Sequence, residues 1–251
     1  MSCACTIVLS GDRSAVAVLV PSTVSGEEAL AALGLATKPP GVVVLNGGTA
    51  ELSTELDATL RGTLGALAEI VVEEGLTVVT GGTDAGIFAV FGRALGDDRS
   101  APCIGVVPEA RVTWPDRTRV NGTPAGDEPV PLEPHHSHFL LVEGSEWGVE
   151  TDAMLALTAA LSADRPSLAV LAGGGPVADR EVRGHLLAGR EVLVLAETGR
   201  LADQLTGELV GQSRMTAETA SRGLVTVIGA GTSPSTLAGV VRERLHTGRG
   251  G

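Results

Sequence analysis

Tyrosine is missing from this 251-residue chain, and phenylalanine and tryptophan bring the aromatic content to only 2%. So few stacking platforms argue against a binder of single-stranded nucleic acid. Positive charge is scarce as well: 18 lysines and arginines stand against 30 acids, a formal charge of −12. Nucleic-acid affinity rests on basic surface and counterion release, so bulk electrostatics would repel that partner. Lysine is reduced to Lys38, in the loop-like "TKPPG". A Walker-type phosphate loop needs its lysine directly after the glycines, which excludes that motif, and Schiff-base chemistry is left without support. Cys3, Cys5 and Cys103 are too few and too badly spaced for a disulfide framework or a metal half-site with matching partners. No stretch approaches the ~20 apolar residues of a membrane span. No basic region leads into an apolar run at the N-terminus, so the expectation is a cytoplasmic protein with no membrane partner.

What the chain does have is hydrophobic residues (43%) and 34 glycines, arranged in strand, glycine turn and helix over and over. "SAVAVLV" (Ser14–Val20) reads as a strand, and Ser25 and Glu28 are spaced as a capping box opening a short helix. "GVVVLNGG" is a continuous apolar run, as expected of a strand covered on both faces. Leu52, Leu56, Leu60, Leu64 and Leu67 mark the apolar stripe of the next helix, which ends at Glu73-Glu74-Gly75. "LTVVTGG", "CIGVVPE", "HSHFLLVEG", "PSLAVLAGGG", "REVLVLAETG" and "GLVTVIGAG" supply further strands, while residues 110–134 form one long unpatterned excursion. The pattern predicts an α/β protein with an open, mainly parallel sheet and helices on both faces. We expect a single domain over residues 1–251, with a strand–helix extension over about the first 40.

Ligands in such sheets bind at the carboxyl ends of the strands. Turns at that edge comprise Gly47-Gly48-Thr49, Gly81-Gly82-Thr83 with Gly86 beyond, Gly173-Gly174-Gly175 and Thr198-Gly199-Arg200. Any one of them is explained by tight turning alone; their convergence on one rim points to a ligand. Amides at helix N-termini favour an anion, the threonines add hydroxyls, and Arg200 adds a bidentate contact to phosphate. The G-x-G-x-x-G dinucleotide fingerprint and the G-x-S-x-G hydrolase elbow are both absent. In "LEPHHSHF", strand alternation would place His136 and His138 on one face and His135 on the other. Two same-face histidines without further ligands do not make a metal site, and a hydrogen-bonded strand entrance is expected instead. Acids in "GSEWGVETD" suit solvation and capping, with Glu150 or Asp152 able to face a pocket. No cofactor or metal is expected.

Four blocks taken in order, "VVTGGTDAGIFAVFGRAL", "LEPHHSHFLLVEGSEWGVE", "LAVLAGGGP" and "EVLVLAETGRLAD", resemble the SLOG superfamily, in particular its LSDAT branch. That branch is similar to the cytosolic N-terminal sensing region of melastatin-type transient receptor potential channels. The resemblance implies a Rossmann-like fold that senses a nucleotide-derived ligand, ADP-ribose or a cyclic relative. By position it implies ligand contacts from Gly81, Gly82, Thr83, Gly86, Gly173, Gly174, Thr198, Gly199 and Arg200. His135 stands where the channels have asparagine, and Glu197-Thr198 replaces Gly-Ser, departures that bear on ligand preference. With no channel segment here, a signal would pass through a homo-oligomer or a separate effector protein. The chain also resembles, more distantly, the LOG-type phosphoribohydrolases, which release a base from a nucleoside monophosphate. Their P-G-G-x-G-T-x-x-E marker corresponds to "AGGGPVADRE", with Arg180 in the glutamate's slot and Glu181 one residue late. One residue on a helix rotates a side chain by ~100°, an offset that weakens the hydrolase reading without excluding it, because a deviation in the glycine turn would restore the register. Glu181 is therefore the candidate catalytic residue only in the alternative reading.

Overall fold

The computed structural model describes residues 4–35, 38–50, 52–117, 128–211 and 223–247. Its short apolar runs become the strands of one sheet. In chain order these are β1 (Cys5–Val8), β2 (Ser14–Val20), β3 (Val42–Gly47), β4 (Thr77–Thr80) and β5 (Cys103–Pro108). Two short strands, β6 (Val112–Thr113) and β7 (Val130–Pro131), pair with each other inside the excursion. The sheet resumes with β8 (His138–Val142), β9 (Ser167–Ala172), β10 (Glu191–Ala196) and β11 (Val225–Gly229). Its order is β1-β2-β8-β5-β4-β3-β9-β10-β11, antiparallel only between β1 and β2.

Because β3, β4, β5, β8, β9 and β10 are buried on both faces, each of them sends alternate side chains into cores on opposite sides of the sheet. Val43, Leu45, Val78 and Val170 pack with α2 (Thr54–Glu74), α3 (Gly86–Leu95) and α7 (Pro234–Thr247). Val42, Val44, Val79 and Leu171 pack with α1 (Gly26–Leu33), α4 (Thr151–Leu161), α5 (Pro176–Leu187) and α6 (Arg200–Gly211). The helices start and stop on local signals. Ser25 and Glu28 close the expected capping box on α1, and Gly75 ends α2 in the left-handed region.

Chain order fixes where a ligand can go. From β3 the sheet grows outward through β4, β5 and β8; the chain then returns to lay β9 on the other side of β3 and grows through β10 and β11. Helices α2 and α3 of the first run, joined by α7 from after β11, cover one face, and α4, α5 and α6, joined by α1, cover the other. A crevice must therefore open above the carboxyl ends of β3 and β9, where the direction of growth reverses. The excursion covers the far part of the sheet, with Val112 and Leu132 packed on Ile7, Ala17 and Phe139. Residues 118–127 of that excursion, and Cys3, lie outside the described residues. Among the described residues no helix is long and apolar enough to cross a membrane.

Candidate ligand-binding site

A cavity of about 230 Å³ lies at this switch point. Gly47, Gly48 and Thr49 line it from the end of β3, and Gly81 and Thr83 from the end of β4. Gly175 to Ala178 line it from the start of α5, with Phe88, Trp147, Glu150, Glu181 and Arg200 completing the wall. The turns approach so closely that side chains are excluded. A Cβ on Gly47 would lie 2.2 Å from the Ala172 carbonyl oxygen and 2.3 Å from Ile87 Cδ1. One on Gly86, which sits at φ +52°, would lie 2.1 Å from the Gly48 carbonyl oxygen. Gly86 thus lets the N-terminus of α3 press against the β3 turn, and the Ile87 amide donates to Gly48 O at 3.3 Å.

The expected residues divide into two groups. Gly47, Gly48, Thr49, Gly81, Thr83 and Arg200 meet at the cavity. The remainder hold the frame, which differs from the expectation that all would face ligand. Gly82 N–H donates to Thr80 Oγ1 at 2.9 Å. Gly173 N–H donates to Thr198 Oγ1 at 2.7 Å, and that hydroxyl donates to Leu195 O at 2.6 Å. Gly199 N–H donates to Asp203 Oδ2 at 3.1 Å. Amides already satisfied within the protein are not free to cradle an anion. Gly174 accepts from Leu201 N–H and lines a neighbouring hollow of about 540 Å³ between α5 and α6. Arg200, exposed and at φ +52°, borders both spaces.

The register of α5 decides which of Arg180 and Glu181 faces the cavity. With Gly175 as N-cap and Pro176 in the first turn, Glu181 turns inward, only 6% exposed, at the base of the cavity. Arg180 instead turns out to Asp152 at 2.7 Å and Gly148 O at 3.0 Å. The helix begins where its proline and cap dictate, so spacing from the glycines did not set the face. Glu181 Oε2 accepts from Asn46 Nδ2 at 2.9 Å. Burial pushes the Glu181 carboxyl up to about 8; the Asn46 hydrogen bond resists and Glu150 adds to the rise. Burial likewise lifts Glu150 to about 7, against backbone hydrogen bonds that include Gly148 N–H at 2.7 Å. Two carboxyl groups pushed up by burial therefore share one wall. Asn46 Oδ1 behind them and Thr83 Oγ1 on the cavity wall are buried with no hydrogen-bond partner in the protein. Unsatisfied buried polar atoms are costly, and a ligand is one way to satisfy them.

Trp147 and Asn46 were not singled out by sequence reasoning. Trp147, 41% exposed at the cavity rim, offers a flat apolar face of the kind a base or sugar stacks on. The one signal for it was its place in the acidic stretch "GSEWGVE"; Asn46 had none beyond interrupting an apolar strand.

The histidines also depart from expectation. β8 begins only at His138, so alternation does not extend back to His136. His135 and His136 both bond one carboxylate: His135 Nδ1 to Glu133 Oε1 at 2.6 Å, His136 Nδ1 to Glu133 Oε2 at 2.7 Å. His138 pairs with Ser137 Oγ at 2.8 Å. Among the described residues no cluster of histidine, cysteine and acids has the makings of a metal site.

Comparison with known proteins gives a consistent picture. The family profile described as "SLOG in TRPM, prokaryote" (LSDAT, prokaryotic) matches residues 40–238. No curated protein matches the chain. Among solved structures, the crystal structure of TM1055, a structural-genomics target, superposes with a TM-score of 0.51 at 16% identity, covering 81% of this chain and 98% of that one. At that identity the likeness speaks for the fold.

Proposed function

Since the chain belongs to the prokaryotic LSDAT family of SLOG domains, we propose that it is a binding domain for a nucleotide-derived ligand such as ADP-ribose or a cyclic relative. The observation that carries this reading is the switch-point cavity itself. Backbone turns from β3 and β4 and the start of α5 converge there, with the unpartnered Thr83 hydroxyl on its wall. Phosphate suits the amide-rich glycine side. A sugar hydroxyl suits Thr83 and the carboxyl groups, a ring suits Trp147, and Arg200 sits at the mouth to close on charge. Calorimetric titration with ADP-ribose, cyclic ADP-ribose, AMP and NAD tests it. One-site binding of at least one of them is expected, and silence across all four would end the reading.

A second reading is favoured by one specific observation: Glu181, not Arg180, faces the cavity. In this reading the protein hydrolyses the N-glycosidic bond of a nucleoside monophosphate. The C1′–N bond breaks and the base leaves with its electron pair, taking the proton held by one of the two carboxyl groups; the other, ionised, stabilises the cationic sugar, and water adds at C1′ and returns its proton to the first carboxylate, giving ribose 5-phosphate. The reading predicts free base released from AMP and loss of that release in Glu181→Ala. No release from a panel of monophosphates would leave binding alone.

A further inference from the structure

The Glu133 carboxylate is sealed inside the protein, well away from solvent, as are the His136 ring and the Thr80 hydroxyl it leads to. Glu133 lies at the end of the excursion, beside the Gly92 backbone of α3, where a Cβ would stand 2.1 Å from its carboxyl carbon. From there the contacts run in series. Glu133 Oε2 holds His136 Nδ1 at 2.7 Å, His136 Nε2 meets Thr80 Oγ1 at 2.6 Å, and Thr80 Oγ1 accepts the Gly82 amide at 2.9 Å. The backbone of the same segment grips the same turn. Glu133 N–H donates to Gly82 O at 3.0 Å, Leu132 bridges Thr83, and Asp84 N–H donates to Pro131 O at 2.8 Å.

A buried charged pair is a poor source of net stability, because desolvation offsets most of its attraction. Its use is in fixing orientation, and what this one fixes is the turn carrying Gly81 and Thr83, two walls of the cavity. We propose that Glu133, His136 and Thr80 are positioning residues that lock the Gly81–Thr83 turn in its ligand-receiving shape and couple it to the excursion. None of the three lines the cavity; they act through the Gly82 amide and the Gly82 carbonyl. This rests on the cavity being the ligand site, as proposed above. Coupling of this kind is reciprocal, so a ligand gripping the turn tightens the relay in return.

Thr80→Val keeps the shape and removes the hydroxyl, whereas Thr80→Ser keeps the hydroxyl; Gly92→Ala disturbs Glu133 from the opposite side. The first readout needs no ligand: amide hydrogen exchange at Gly82 and Asp84. Exchange about tenfold faster is expected in Thr80→Val and Gly92→Ala, with Thr80→Ser close to wild type. The second readout is calorimetric affinity for AMP and ADP-ribose, measured well below the melting temperature of each variant. A loss of about tenfold in Thr80→Val, restored by Thr80→Ser, is expected, and a merely structural contact would lower only the melting temperature. Unchanged exchange in both Thr80→Val and Gly92→Ala overturns the relay. Faster exchange with unchanged affinity overturns its positioning role. If the wild-type protein binds neither probe, the binding reading fails, and the exchange data alone decide whether the relay holds the turn.

Discussion

Glu181 is the residue on which most depends, because it holds a proton at a pH where an ordinary carboxyl does not. Its pKa rises from 4.5 to about 8 on folding, so the native state binds that proton more tightly than the unfolded chain. Stability that is complete below pH 4.5 is therefore lost as pH rises through 8. Glu181→Gln, which has nothing to ionise, should gain on the wild type between pH 5 and pH 9 by roughly 2–4 kcal/mol. For a chain of this size that corresponds to a relative rise in melting temperature on the order of 5–10 °C, read from thermal unfolding at the two pH values. A constant difference would mean that Glu181 ionises freely. Arg200 offers a separate check at the same scale. Its guanidinium is exposed at the cavity mouth, so solvent screening weakens each contact. Arg200→Ala is expected to weaken calorimetric affinity for a phosphate-bearing ligand by roughly 5–20-fold. An unchanged dissociation constant would remove Arg200 from the site.

At the scale of elements, the site depends on how tightly α3 meets the β3 turn. Gly86→Ala would force a Cβ to 2.1 Å from the Gly48 carbonyl at a φ of +52°, so it should cost on the order of 2–4 kcal/mol in urea unfolding and lower ligand affinity with it. A wild-type midpoint in that variant would show that the turn and helix can separate freely. Elements were also what the sequence disclosed best. Runs such as Val42–Leu45 and Leu168–Leu171 could only be buried strands, and the glycines after them could only be turns at one end of a parallel sheet. What escaped were relations between elements. Asn46 and Glu181 bond across 135 residues of chain, through a crossover that no local pattern encodes. The face shown by Glu181 depends on where α5 starts, and counting from the glycine triplet left its register open because Pro176 and Gly175 set the first turn. His135 and His136 follow the same lesson, since alternation applies only inside a strand and β8 opens after them.

For the whole molecule, the governing fact is a net charge of −12 around the site proposed to take an anion. Attraction is local, from backbone dipoles and Arg200, while the global field repels. Raising ionic strength from about 10 to 150 mM shortens the Debye length from roughly 30 to 8 Å and screens the distant acids first. Stopped-flow association of an anionic nucleotide should therefore speed up by a few-fold over that range; a slowing would mean that positive charge near the site dominates the approach. The doubly wound order of the sheet points the proposed ligand to the crevice between β3 and β9. Amide chemical-shift mapping during titration with AMP or ADP-ribose tests that claim most directly. The account predicts that the largest shifts fall on Gly47, Gly48, Thr49, Gly81 and Thr83, and that Trp147 moves with them. Saturating shifts on another face of the protein, with these amides unmoved, would contradict it.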